Sequence, residues 1–262
     1  MATRRLHSAA VLKQLAVRTG LYRPARWAER LVRGTAAQHR AEQALYRSII
    51  PPGALCFDVG ANIGEKSEAM LAADARVVAF EPNPAVWPEL EARCGDRPRW
   101  TLVRAAVGAR SAVLDLHTRV SSGQSSMIAE WEGVPLGSCP VPVITLDAAI
   151  ERFGVPYYCK IDVEGWEEQV LRGLSHAIPL LSFEFHLSAA DISKTRACLN
   201  HLRAFGQAEV AIAPAETPSF LTGHWVSLAS FVDWFPGNLQ ETLPGSGYGD
   251  VFVRLLSYLT GS

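Results

Sequence analysis

Several features that would assign a chain quickly are scarce or missing here. No apolar run in the 262 residues reaches the ~18 needed for a membrane span. The only early apolar stretch is interrupted by Lys13, so a secretory signal peptide is not expected. The net charge is −1, which excludes a global positive field for nucleic acid. The five cysteines, Cys56, Cys94, Cys139, Cys159 and Cys198, are scattered, and none forms a C-x-x-C pair. That argues against a zinc ribbon or disulfide framework and for free thiols in a reducing compartment, so a cytoplasmic protein is expected. No G-x-G-x-x-G fingerprint follows the first strand-like segment.

What is present is the balance of a globular protein, 48% hydrophobic and 19% charged residues. The length suits one large α/β domain with appendages. Charge is unevenly spread. Residues 1–50 hold ten Lys or Arg against only Glu29 and Glu42, leaving the remainder net negative. Helices are expected over 8–18 and 24–48, where Leu12, Leu15, Trp27, Leu31, Leu45 and Ile49 recur at helical spacing. Pro51-Pro52-Gly53 marks the boundary between this basic helical extension, 1–50, and the main domain, 51–262.

The chain is organised around Leu55 to Gly64, LCFDVGANIG. Its first half is apolar enough for a strand covered on both faces, and Glu65 to Ala73 read as the helix after it. Gly60 and Gly64 permit close backbone approach to a ligand at that helix start. The carboxylate of Asp58, just before the first glycine, would repel a pyrophosphate. It suits a cationic ligand without phosphate, of which S-adenosylmethionine is one. Glu81 ends the second strand, 76–80, at the spacing of an acid that accepts from ribose hydroxyls. A third strand, 100–106, ends in the small residues Ala105 and Ala106, which leave room for a flat adenine.

Further along, 112–118 and 141–145 are expected to pair, with the polar loop 120–127 between them. A central strand ends in Lys160-Ile161-Asp162, and the next, 179–186, ends in Glu184-Phe185-His186. Strand alternation puts Lys160 with Asp162 on one face, and Glu184 with His186. Asp162, Glu184 and His186 are therefore candidate catalytic groups. Asp162, Glu164, Glu184 and His186 also offer oxygen and nitrogen ligands to a hard divalent ion. Their spacing matches no specific ligand motif, so none is assigned and a divalent metal stands as the lesser alternative. Residues 214–249, rich in Pro, Gly and aromatics such as Trp225, Trp234 and Phe235, are too long for an ordinary loop. They are expected to be a lid over the strand ends or a packed insertion.

Phe57-Asp58-Val59-Gly60-Ala61-Asn62-Ile63-Gly64, Phe80-Glu81-Pro82-Asn83, Ala106-Val107-Gly108, Thr145-Leu146-Asp147 and Lys160-Ile161-Asp162-Val163-Glu164-Gly165-Trp166-Glu167 together resemble the FkbM family of S-adenosylmethionine-dependent methyltransferases. The resemblance spans about 53–190. It implies a class I methyltransferase fold, a Rossmann-like, doubly wound sheet of seven strands with the last antiparallel. It implies methylation of a hydroxyl on a sugar, polyketide or other natural product. By position it assigns Asp58, Gly60, Asn62 and Gly64 to the methionine part of the cofactor, Glu81 to ribose and Ala106 to the adenine border, with Asp162 and Glu164 in a later acidic motif. Asp162 thus stands as a cofactor contact as well as a catalytic candidate. A small-molecule or glycan acceptor is the expected partner. The rival readings are a non-catalytic cofactor-binding or interaction module and, disfavoured by Asp58, a nicotinamide-dependent oxidoreductase.

Overall fold

The computed structural model describes residues 36–214, 219–221, 223–237, 239–243 and 247–258. The expected helix 8–18, the start of the 24–48 helix and most of the basic extension lie outside them. The described part begins with α1 (Ala36–Ile49), which runs into Pro51 and Pro52.

β1 (Leu55–Val59), α2 (Glu65–Ala72), β2 (Arg76–Phe80), α3 (Trp87–Cys94) and β3 (Trp100–Val103) follow as two strand-helix-strand units. A side sheet comes next, built from β4 (Ala106–Val107), β5 (Ala112–Arg119) and β6 (Pro135–Ile144). Then come α4 (Leu146–Phe153), β7 (Tyr158–Ile161), α5 (Glu167–Arg172), β8 (Leu180–His186), α6 (Ala189–Arg203) and β9 (Ala208–Pro214). β10 (Val226–Ser227), α7 (Leu228–Trp234), α8 (Leu239–Thr242) and β11 (Tyr248–Leu255) complete the domain.

The main sheet has the order β10-β9-β11-β8-β7-β1-β2-β3. β3, β2, β1, β7 and β8 are parallel, while β11 runs antiparallel to β8 and β9. Without β10 this is the expected seven-stranded arrangement with an antiparallel last strand. The eighth strand is the two-residue β10, clipped antiparallel to the edge of β9. Chain direction across the sheet reverses at β1 and β7. A doubly wound sheet opens its ligand crevice at such a point, outside the carboxyl ends of the strands.

Alternation along the strands divides the core in two. Phe57, Val78, Phe80, Cys159, Ile161, Phe183 and Val251 face α4 to α7. Cys56, Val77, Tyr158 and Phe252 face α1 and α2 through Tyr46 and Met70. Asp58, Lys160 and Ser182 share that second face, which is why a strand otherwise fully apolar carries a carboxylate into the interior.

Two expectations need correction. The third strand does not run on to Ala106. It stops at Val103, and Ala106 and Val107 leave the main sheet to pair in parallel with Val143 and Ile144 of β6. Among the described residues, Trp225, Phe231 and Phe235 of 214–249 pack as an insertion and not as a lid, while Tyr248 near its end stacks on His186. Trp225 lies under the Arg254 guanidinium, 4.3 Å from its ring centre, and against Phe220, which packs on Phe252. Phe235 packs edge-on to Phe185, and Phe231 joins it on the opposite face of the sheet. These rings bury the β9–β11 end of the sheet, away from the β1–β7 crevice.

The turn after β1 gives a direct stability test. Gly60 has φ +83°, and a Cβ there would sit 1.8 Å from the carbonyl oxygen of Asp162. Gly53 has φ +79° with nothing within 4 Å. Gly53→Ala should therefore cost only the left-handed strain of about 1–2 kcal/mol. Gly60→Ala should cost clearly more, because backbone of two core strands must separate. Paired thermal melts check this, and equal losses would contradict the close approach.

Candidate active site

The turn from β1 into α2 is fixed by backbone. Gly60 and Ala61 both donate to the carbonyl of Phe80, at 3.0 and 3.1 Å, tying the β1 turn to the end of β2. Asn62 takes φ +48°, which turns its N–H towards Glu81. The Glu81 carboxylate accepts from Asn62 N through Oε2 and from Asn83 N through Oε1, each at 2.7 Å. Burial pushes Glu81 up to about 7, partly offset by those two N–H donors.

A cleft opens at this point. Its floor and one wall are Gly60, Asn62, Glu81, Ala106, Val107 and Asp162. Ser122, Gly123, Ser125, Ser126 and Met127 of the β5–β6 connection line it as well. Five of the seven residues expected to hold cofactor therefore line one cavity. Asp58 and Gly64 sit behind it. Asp58 is fully buried and accepts from Ser67 Oγ of α2 at 2.6 Å. Burial raises its carboxyl, and the nearby Lys160 charge opposes that rise. Gly64, at φ +84°, starts α2 and packs on Leu90 and Cys94 of α3.

Beside the cleft, β7 and β8 deliver the acids. Lys160 Nζ donates to Asp162 Oδ2 at 2.6 Å, as alternation along β7 predicts. Burial disfavours the Asp162 charge, but Lys160 outweighs it and holds the carboxyl below its usual range. Glu164 takes φ +57° just past the strand. Burial, then the charges of Asp162 and Glu184, push it up to about 9. Glu184 is raised well above the usual carboxylate range by burial and then by Asp162. One oxygen from each of Asp162, Glu164 and Glu184 lies within 4.8 Å of the others. Like charges this close must be relieved by protons, by Lys160 or by a hard cation, and these three are the residues able to hold one.

His186 closes the group. Its Nε2 lies 3.2 Å from Glu184 Oε2. The register of β8 and β11 sets His186 opposite Tyr248, and the rings stack at 5.5 Å and 17°. Trp131 meets the imidazole edge-on at 5.3 Å and donates from Nε1 to Glu164 Oε2 at 2.9 Å. A Cβ on Gly165 would lie 2.2 Å from the Trp131 ring. The sequence singled out every acid of this cluster. It missed Trp131, Tyr248 and Arg119, which come from loops or strands distant in the chain. The one available signal was that the 120–127 segment is unusually polar beside a strand pair.

The thiols match expectation. All five cysteines are free, and four are buried. Among the described residues, no helix is long and apolar enough to cross a membrane.

Comparison with known proteins points one way. The methyltransferase FkbM domain matches residues 58–207, more than half of the chain. The hexuronic acid methyltransferase AglP of Haloferax volcanii is 30% identical over 169 residues, covering 59% of this chain and 67% of that protein. Solved structures resemble it more loosely. A precorrin-6y C5,15-methyltransferase from Geobacter metallireducens is 12% identical, with 81% of this chain and 86% of that one covered and a TM-score of 0.43. Aeropyrum pernix fibrillarin, solved with natively bound S-adenosyl-L-methionine, is 11% identical, with 81% and 73% covered and a TM-score of 0.44. The fold assignment rests on the strand order, not on these two scores.

Proposed function

The chain belongs to the methyltransferase FkbM family and is an S-adenosylmethionine-dependent methyltransferase, and we propose that it methylates a hydroxyl group of a sugar. The family match removes the nicotinamide oxidoreductase and the non-catalytic module as readings of the whole chain. The cleft under residues 122–127 takes the cofactor in this reading. Glu81 accepts from the ribose hydroxyls, Ala106 and Val107 border adenine, and Gly60, Asn62 and Asp162 surround the methionine part.

The observation that supports a hydroxyl acceptor is the Glu184–His186 pair beside the cleft. Methyl transfer is an in-line displacement at carbon whose thioether leaving group needs no acid. The protein must align the acceptor oxygen behind the methyl and take up the hydroxyl proton. His186, oriented by Glu184, Trp131 and Tyr248, is the base. Asp162 is held ionised by Lys160 and positions the acceptor or the cofactor ammonium. A relative is named for hexuronic acid, and such a sugar offers a carboxylate as well as hydroxyls. A carboxylate needs no base, and Asp162, held ionised by Lys160, would repel it.

The test is transfer from methyl-labelled S-adenosylmethionine to glucosides, glucuronides and macrolide aglycones. Label in a sugar product, stable to mild base as an ether is, is the expected result. A base-labile methyl ester, or label only in the aglycone, overturns the reading. The spacing of the three carboxylates favours a second possibility, that a divalent cation assists. Turnover after treatment with a chelator, with and without added Mg²⁺, separates the two. Full activity in chelator assigns the cluster to proton handling alone.

A further inference from the structure

Residues 120–134 connect β5 to β6 without regular strand or α-helix. A connection of this length with only one 3₁₀ turn, Ser122–Gln124, is ordinarily either loose or functional. This one is tied together from inside. Arg119, at the end of β5, is only 4% exposed. Its guanidinium donates to the carbonyls of Ala129 at 2.7 Å, Trp131 at 3.2 Å and Glu132 at 3.3 Å, and to that of Thr118 at 3.4 Å. Every one of these acceptors is main chain, so the fork of donors gathers the loop instead of forming an ion pair. A second tie holds the loop to the rest of the site. Ser126 is buried, and its Oγ donates to the Glu164 carbonyl at 2.7 Å while accepting from Ile128 N at 3.0 Å.

The loop held this way has two working edges. Ser122, Gly123, Ser125, Ser126 and Met127 form one wall of the cofactor cleft. Trp131, on the other edge, reaches Glu164 and His186. We propose that Arg119 is a positioning residue for cofactor retention: by gathering the carbonyls of Ala129, Trp131 and Glu132 it anchors the far half of the loop whose near half, 122–127, walls the cleft, and so sets how long the cofactor stays bound. This rests on the cleft being the cofactor site. Arg119 touches neither cofactor nor acceptor, so its effect must pass through the loop. A wall that covers a bound ligand governs its escape more than its arrival.

The measurement is stopped-flow association and dissociation of S-adenosylhomocysteine with the full chain, at a temperature where circular dichroism shows each variant folded. Arg119→Lys keeps the charge but not the fork. Arg119→Gln keeps a pair of amide donors without the fork and serves if Arg119→Lys does not fold. Each should release the ligand about tenfold faster or more, the loss expected of one hydrogen bond with a charged or buried partner, with association nearly unchanged. Arg99→Ala removes an exposed arginine paired with Asp74 at the amino ends of β2 and β3, away from the cleft lining, and should release at the wild-type rate. Wild-type release rates in the folded variants overturn the proposal, and so does equal acceleration in Arg99→Ala, which would make a general loosening of the fold the cause. A wild-type chain that fails to bind S-adenosylhomocysteine would instead sink the cofactor site itself.

Discussion

Glu81→Ala is expected to weaken S-adenosylhomocysteine binding by about a hundredfold or more while leaving the domain folded. The carboxylate is 6% exposed, and each of its oxygens already accepts one backbone N–H, from Asn62 or Asn83. Those bonds aim the remaining lone pairs into the cleft, where two ribose hydroxyls would donate. Hydrogen bonds to a charged group contribute about 1.5–3 kcal/mol each, so two of them account for the expected factor. Calorimetry on the variant decides, and an unchanged Kd rejects the ribose role.

The same residue predicts a pH dependence of opposite sign for binding and for folding. Burial raises Glu81 from 4.5 to about 7. Hydroxyl donors favour the ionised form, so cofactor affinity should fall as pH drops below about 7 and level off above it. For the free protein, a carboxyl raised in the folded state contributes stability at low pH. That contribution is lost as pH climbs from about 4.5 to about 7. Glu81→Gln should flatten the binding profile in this range. A profile as steep as wild type would assign the titration to another group.

The second large effect is expected at His186. His186→Gln should lower turnover by about 10²- to 10⁴-fold, the usual contribution of a positioned general base. Cofactor affinity should stay near wild type, since His186 does not line the cleft. Glu184→Gln should be milder, because Trp131 and Tyr248 still fix the ring. Turnover within about threefold of wild type in folded His186→Gln would pass the base role to Asp162.

Much of this site was legible in the chain because it is local. Asp58, Gly60, Asn62 and Gly64 lie on one strand-turn-helix, and a buried strand followed by glycines at that spacing admits few conformations. Glu81, Asp162, Glu184 and His186 each end a strand, and period-two alternation alone pairs Lys160 with Asp162 and Glu184 with His186. The resemblance to a known family added the order in which these strands neighbour one another.

Other features depended on contacts between distant segments. Ala106 leaves the main sheet because its partner, Val143, lies on a strand 37 positions further along. Tyr248 stacks on His186 only because β11 pairs antiparallel with β8 in that register. Arg119 reads in sequence as one more surface charge, yet it is buried because a ring of main-chain carbonyls closes round it. The aromatics of 214–249 suit either a lid or a core by composition, and packing against Phe185, Phe252 and Arg254 chose the core. By itself the sequence determined the strand ends, their acids and the glycine turn, since these follow from backbone preference and side-chain period over a few residues. Tertiary structure decided which wall closes the cleft and what orients His186, because those depend on which distant surfaces bury apolar area together.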